Sequence, residues 1–68
     1  MEMIGTTDTL TVKQIRALLA LSQKAFAPMI GLTPSALMRR ENGKIPWKMH
    51  EISQISKVTG VPIERIRA

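Results

Sequence analysis

Gln23-Lys24-Ala25-Phe26-Ala27-Pro28-Met29-Ile30-Gly31-Leu32-Thr33-Pro34-Ser35-Ala36-Leu37-Met38-Arg39-Arg40-Glu41-Asn42 holds two short apolar runs on either side of one glycine. Ser22, just before it, and Thr33, inside it, are residues whose side-chain oxygens accept first-turn N–H groups and so open helices. Pro34 follows Thr33 at the first helical position, where a missing N–H costs nothing. Gly31 can adopt positive φ and end the first run, and Asn42-Gly43 ends the second. The stretch therefore predicts a helix of about two turns after Ser22 and another between Thr33 and Asn42, joined by the tight turn Gly31-Leu32-Thr33. Helices that cross steeply over so short a turn need a small side chain where they approach, and Ala27 and Gly31, four apart, meet that need. Ala25, Phe26, Met29 and Ile30 are predicted to face inward, with Phe26, Ile30, Leu32 and Leu37 filling the wedge. Ser35, Met38 and Arg39 are left on the outer face of the second helix.

Toward the N-terminus, Thr11-Val12-Lys13-Gln14 fits a capping box, and Leu10 ahead of it can staple onto Ile15. Val12, Ile15, Leu18 and Leu19 then recur at spacings of three and four, one apolar stripe with Lys13 and Arg16 outside it. Residues 1–8 carry no helical period and are read as a loose arm ahead of a single domain spanning 9–68. Toward the C-terminus a further helix is predicted from about 46 to 59, with Met49, Ile52, Ile55 and Val58 inward and Gly60 as its stop. Residues 61–66 read as a last turn or short helix. The expected fold class is all-α: five short helices and no strand.

Sixty-eight residues make one domain, and with one His and no Cys the chain has no disulfide framework, thiolate metal site or zinc cluster. No cofactor is expected. The longest uncharged run, the fourteen residues 25–38, is short of the roughly 20 apolar residues of a membrane span, and the start lacks the pattern of a secretory leader, so a cytoplasmic protein is expected. Ten Lys and Arg against five Asp and Glu give a net charge of +5, with a pI near 10.5. Such a field attracts polyanions, nucleic acid foremost. Glu41, Glu51 and Glu64 lie on separate predicted segments with no evident pairing, and no set of base, nucleophile and oxyanion donors can be named, so the chain is not expected to be an enzyme.

Leu21-Ser22-Gln23, Phe26-Ala27, Gly31-Leu32-Thr33, Leu37, Glu41-Asn42-Gly43-Lys44 and the later Gly60-Val61 occur in the order found in a known group of small regulators. Through these residues, from about 15 to 66, the chain resembles the phage Cro and repressor type of helix-turn-helix domain, a lambda-repressor-like five-helix bundle. The resemblance implies a bacterial or phage transcription regulator whose third helix enters the major groove of double-stranded DNA. It also implies a homodimer reading two half-sites. Three places depart from the family pattern. Pro28 inside the second helix predicts a bend or a shifted start there. Arg40 stands where the family prefers an apolar residue, with Trp47 expected to fold back along its stem. The link between the first two helices is unusually short.

Within that frame Ser35, Met38 and Arg39 are the candidates for base edges: Arg39 with two prongs on guanine, Met38 on a thymine methyl, Ser35 as donor or acceptor. Gln23 and Thr33 open the second and third helices, where a phosphate can meet outward N–H groups, although Thr33 is equally a plain cap. Lys24, Lys44 and Lys48 extend the basic surface toward phosphates, or are ordinary solvated lysines. His50 is read as an exposed structural residue, and Arg65 and Arg67 as solubilising the surface or bordering a dimer contact. Met49, Ile52, Val61, Ile63 and Ile66 are either a dimer patch or core. No small-molecule ligand is expected. Two other readings share the fold: the DNA-binding antitoxin of a toxin–antitoxin pair, and a protein-interaction module with incidental charge.

Overall fold

The computed structural model describes residues 9–68, so the expected arm at 1–8 lies outside the described residues. The chain runs through β1 (Leu10–Thr11), α1 (Val12–Leu18), α2 (Gln23–Phe26), a 3₁₀ turn (Ala27–Ile30), α3 (Pro34–Glu41), α4 (Met49–Thr59), a second 3₁₀ turn (Ile63–Arg65) and β2 (Ile66–Arg67).

α1, α2 and α3 begin where their caps predict. The Gln14 N–H donates to Thr11 Oγ1 at 3.1 Å while the Thr11 N–H donates to Gln14 Oε1 at 2.8 Å, closing the capping box of α1. Ser22 accepts from the Ala25 N–H and Thr33 from the Ala36 N–H, so α2 and α3 start as expected. α4 begins at Met49 rather than 46. Its cap is Lys48, whose N–H donates to Glu51 Oε1 at 3.0 Å, an acidic side chain reaching back over the first turn.

Three helix ends share one device, whereas α4 closes with a single bond from the Gly60 N–H to Ser56 O at 2.8 Å. After α1 the Leu21 N–H reaches Arg16 O and the Ala20 N–H reaches Ala17 O, and the same pair of bonds recurs at Gly31 and at Gly43. The closing residue must take positive φ. Gly31 does so at +76°, with nothing within 4 Å of where a Cβ would stand, whereas Ala20 is forced to +58°. That turn ends α1 after seven residues and carries Leu18 away from the core. The expected stripe therefore stops at Val12 and Ile15, which are buried, while Leu18 is 73% exposed and Leu19 is also exposed. Pro28 has no N–H to continue the α-helical ladder, and from Ala27 the second helix tightens into 3₁₀ geometry, the form the expected bend takes. The tighter turn keeps Ala27 and Ile30 inside, but Ala25 and Met29, expected inward, are exposed.

The core is built from Val12 and Ile15 of α1, Phe26, Ala27 and Ile30 of the second helix and its 3₁₀ turn, Leu37 of α3, Ile52 and Ile55 of α4, and Ile66. Fully burying a side chain such as Phe26 or Leu37 contributes about 1.5–3 kcal/mol. Leu32, Trp47, Val58 and Val61 pack around this centre half-buried, and Met49, expected inward, is exposed. The expectation of five helices without a strand is corrected at the chain ends. In place of a fifth helix, residues 63–65 make a single 3₁₀ turn, after which Ile66 and Arg67 pair in parallel with Leu10 and Thr11. Two-residue strands at opposite ends of the chain are too short to show a period of two, so nothing local announces them.

Candidate nucleic-acid interface

α3 buries Leu37 and turns Pro34, Ser35, Met38 and Arg39 outward, with Thr33 exposed at its cap. Met38 is 42% exposed. The two arginines that follow it have opposite fates. The Arg39 guanidinium is exposed and meets no acceptor among the described residues. Arg40, one residue on, points inward: its Nε donates to Glu51 Oε1 at 2.9 Å and its Nη1 to the Ala36 carbonyl. The side chains of Arg40 and Glu51 are 10% and 5% exposed, so this is a nearly buried ion pair tying α3 to α4.

Glu41, the last residue of α3, makes the complementary tie. Arg16 Nε donates to its Oε2 at 2.9 Å and Arg16 Nη2 to its Oε1 at 3.1 Å, and Gln23 Nε2 adds a third bond to Oε1 at 2.9 Å. Arg16 Nη1 reaches the Leu21 carbonyl at 3.0 Å. One carboxylate thus joins α1, the entry to α2 and the end of α3. Burial pushes both carboxyls up, but donated hydrogen bonds outweigh it and both are held below the ordinary 4.5: by Arg16 and Gln23 at Glu41, and by Arg40 and the Lys48 N–H at Glu51. The Arg16 guanidinium is in turn raised by its hydrogen bond to Glu41, against the opposing effect of burial.

The expectation that the glutamates stand unpaired is therefore corrected for Glu41 and Glu51. Arg16, expected outside the packed face, is half-buried in a network that links three helices. The signal for Glu51 was available in its position three residues after Lys48, where an acidic side chain caps a helix. Arg16 and Glu41 are 25 positions apart, and no local pattern connects them. Arg40 and Trp47 do line one cleft, but the head of Arg40 is held by Glu51.

Of the predicted site residues, Ser35, Met38 and Arg39 share the exposed side of α3, and Thr33 commits its hydroxyl oxygen to its own helix as an acceptor. Gln23 is half-buried, its amide nitrogen on Glu41. Lys24 on α2, Lys44 directly after α3 and Lys48 before α4 are exposed, and their side chains enter no ion pair among the described residues. No bond brings those three lysines together. Of the suggested dimer patch, Ile52 and Ile66 are core, Val61 is half-buried, and only Met49 and Ile63 are exposed.

Among the described residues no group of three or more His, Cys, Asp or Glu is placed to hold a metal ion, and no helix is long and apolar enough to cross a membrane. The family model described as helix-turn-helix matches residues 12–66, from the first residue of α1 into β2. No curated protein and no solved structure matched the chain.

Proposed function

The chain belongs to the helix-turn-helix family, DNA-binding regulators of the Cro and repressor type, and from that premise we propose that it is a sequence-specific binder of double-stranded DNA that inserts α3 in the major groove and works as a homodimer on an operator. The observation that carries this reading is the contrast between neighbouring arginines: Arg40 is used up inside the fold, while Arg39 stands on the exposed side of α3 with Ser35 and Met38 and has no partner among the described residues. A free guanidinium beside a thioether and a hydroxyl suits the edges of guanine and thymine, and a bidentate arginine discriminates bases by about 1–3 kcal/mol. The net charge of +5 supplies the sequence-independent attraction. Exposed Leu18, Leu19, Met49 and Ile63 give apolar surface against which a second subunit can pack. The protein acts by occupancy, in the cytoplasm, without a catalytic step or a small-molecule effector.

Salt titration of binding to duplex DNA tests the reading. If Lys24, Lys44 and Lys48 each neutralise one phosphate, the slope of log K against log salt is about −2.7 per subunit, so affinity falls about fortyfold for each fourfold rise in salt. Fluorescence anisotropy with a labelled duplex reads that slope. Salt-insensitive binding, or none, leaves a protein-interaction module as the better description.

A further inference from the structure

We infer that the cleft around Trp47 is a docking site for an acidic peptide segment of another protein, whose carboxylates meet Lys13, Arg40 and Arg67 while an aliphatic side chain beside them lies on the Trp47 indole. The cleft has a volume of about 380 Å³ and is walled by the start of α1, the end of α3, Gly43, Trp47 and the chain from Arg67 on. An adjoining hollow of about 370 Å³ shares Arg40, Gly43 and Trp47 with it and adds Ile45 and Pro46. Ser35, Met38 and Arg39 line neither, so the inference does not rest on the proposed reading of DNA by α3.

The groups around the cleft are donors in want of an acceptor. Arg40 gives Nε to Glu51 and Nη1 to the Ala36 carbonyl, and its Nη2 has no acceptor among the described residues. Its side chain is only 10% exposed, yet among the described residues no buried side-chain nitrogen or oxygen lacks a partner, so Nη2 reaches solvent where Arg40 lines the cleft. The Trp47 indole N–H and the exposed Lys13 and Arg67 also meet no acceptor among the described residues. The one glutamate in the wall, Glu41, is 1% exposed and taken up by Arg16 and Gln23. A group arriving there finds cations and N–H donors and no free side-chain carboxylate, which selects an anion. The apolar part of the wall decides which kind. Trp47, Ile45 and Pro46 give surface that a phosphodiester backbone leaves uncovered, whereas a peptide brings an aliphatic side chain next to its carboxylates. The volume lies within the range of ligand pockets, about 300–1,000 Å³.

Trp47 is the one tryptophan of a chain without tyrosine, so the fluorescence and the single indole N–H resonance report on this cleft. The probe is a blocked tetrapeptide of sequence ELDE, titrated into the full chain at about 0.15 M salt, where distant charges are screened. It is expected to shift Trp47 emission saturably and to move the indole N–H. Lys13→Gln with Arg67→Gln weakens binding by about tenfold, for two lost ion pairs. A probe of sequence EGDE, equal in charge, binds about tenfold more weakly for want of the leucine. Lys24→Gln with Lys57→Gln removes the same net charge from residues that line neither hollow, and leaves the affinity within about twofold. Equal weakening by the two double variants reduces the effect to net charge and overturns the inference, as do equal binding of ELDE and EGDE and the lack of any saturable change. A duplex that moves the indole N–H where ELDE does not assigns the cleft to nucleic acid and also overturns it.

Discussion

Replacing Arg40 with methionine strands a buried negative charge. Glu51, 5% exposed, loses the guanidinium at 2.9 Å and keeps only the Lys48 N–H at 3.0 Å. Breaking a buried ion pair on one side costs about 3–5 kcal/mol, and the remaining N–H places this case near 3. At about 0.05–0.15 kcal/mol per residue, a chain of 68 has roughly 3–10 kcal/mol in all. The single change therefore consumes between a third and all of the stability, and lowers Tm by about 12–24 °C at 4–8 °C per kcal/mol. Replacing Arg40 and Glu51 together by methionine removes both charges and forfeits the cap bond, about 1 kcal/mol, along with the long 3.2 Å Arg40 bond to the Ala36 carbonyl, which keeps its helical partner. The double variant is thus expected to be about 2 kcal/mol more stable than Arg40→Met alone. Thermal unfolding followed by circular dichroism, with urea titrations at 25 °C, measures both. A single variant within 1 kcal/mol of wild type, or a double variant no better than the single, refutes the assignment of Arg40 and Glu51 as a desolvated pair.

Acid should unfold the domain in a defined window. Glu41 and Glu51 have folded pKa values below 4.5, so their contribution is complete above that value and is lost as pH falls through the folded values; Tm measured from pH 7 to pH 2 should stay level to about pH 5 and then drop, and a Tm that holds or rises in acid contradicts the pairing. Ala20→Gly relieves the one non-glycine residue at positive φ among those described and should stabilise by about 1 kcal/mol in urea titration; a loss of stability would show that the turn is unstrained. Thr33→Ala removes the cap bond to the Ala36 N–H and should cost about 1 kcal/mol by the same assay, an unchanged midpoint counting against the cap.

Local chemistry was legible and distant pairing was not. The starts of α1, α2 and α3 follow from Thr11 with Gln14, Ser22, and Thr33 with Pro34, because a cap and its N–H partner are three residues apart. The outward face of α3 follows from the helical period once Leu37 is placed inside. Leu18 and Leu19 keep that period and are nevertheless exposed, because the left-handed Ala20 ends α1 before a third turn can reach the core. The pairing of Leu10 with Ile66 and the bonds from Arg16 to Glu41 depend on the folded arrangement, and no spacing in the sequence encodes them. Arg40 stood out as a charge in an apolar place, and its reason, Glu51, became visible only with α4 in position. At the interface the same division holds: the exposure of Ser35, Met38 and Arg39 could be read from the chain, whereas the internal engagement of Gln23 could not.

That α3 reads bases through Arg39 is open to a direct measurement: selection of bound sequences from random duplexes, run in parallel with the wild-type chain and Arg39→Ala. Because Arg39 is exposed and has no partner among the described residues, the substitution should leave stability within about 0.5 kcal/mol, so any change in selection belongs to recognition. The predicted result is one enriched motif for the wild type, with a guanine whose preference disappears in the variant while the other positions keep theirs. Identical motifs from both chains, or no enrichment from the wild type, would contradict it.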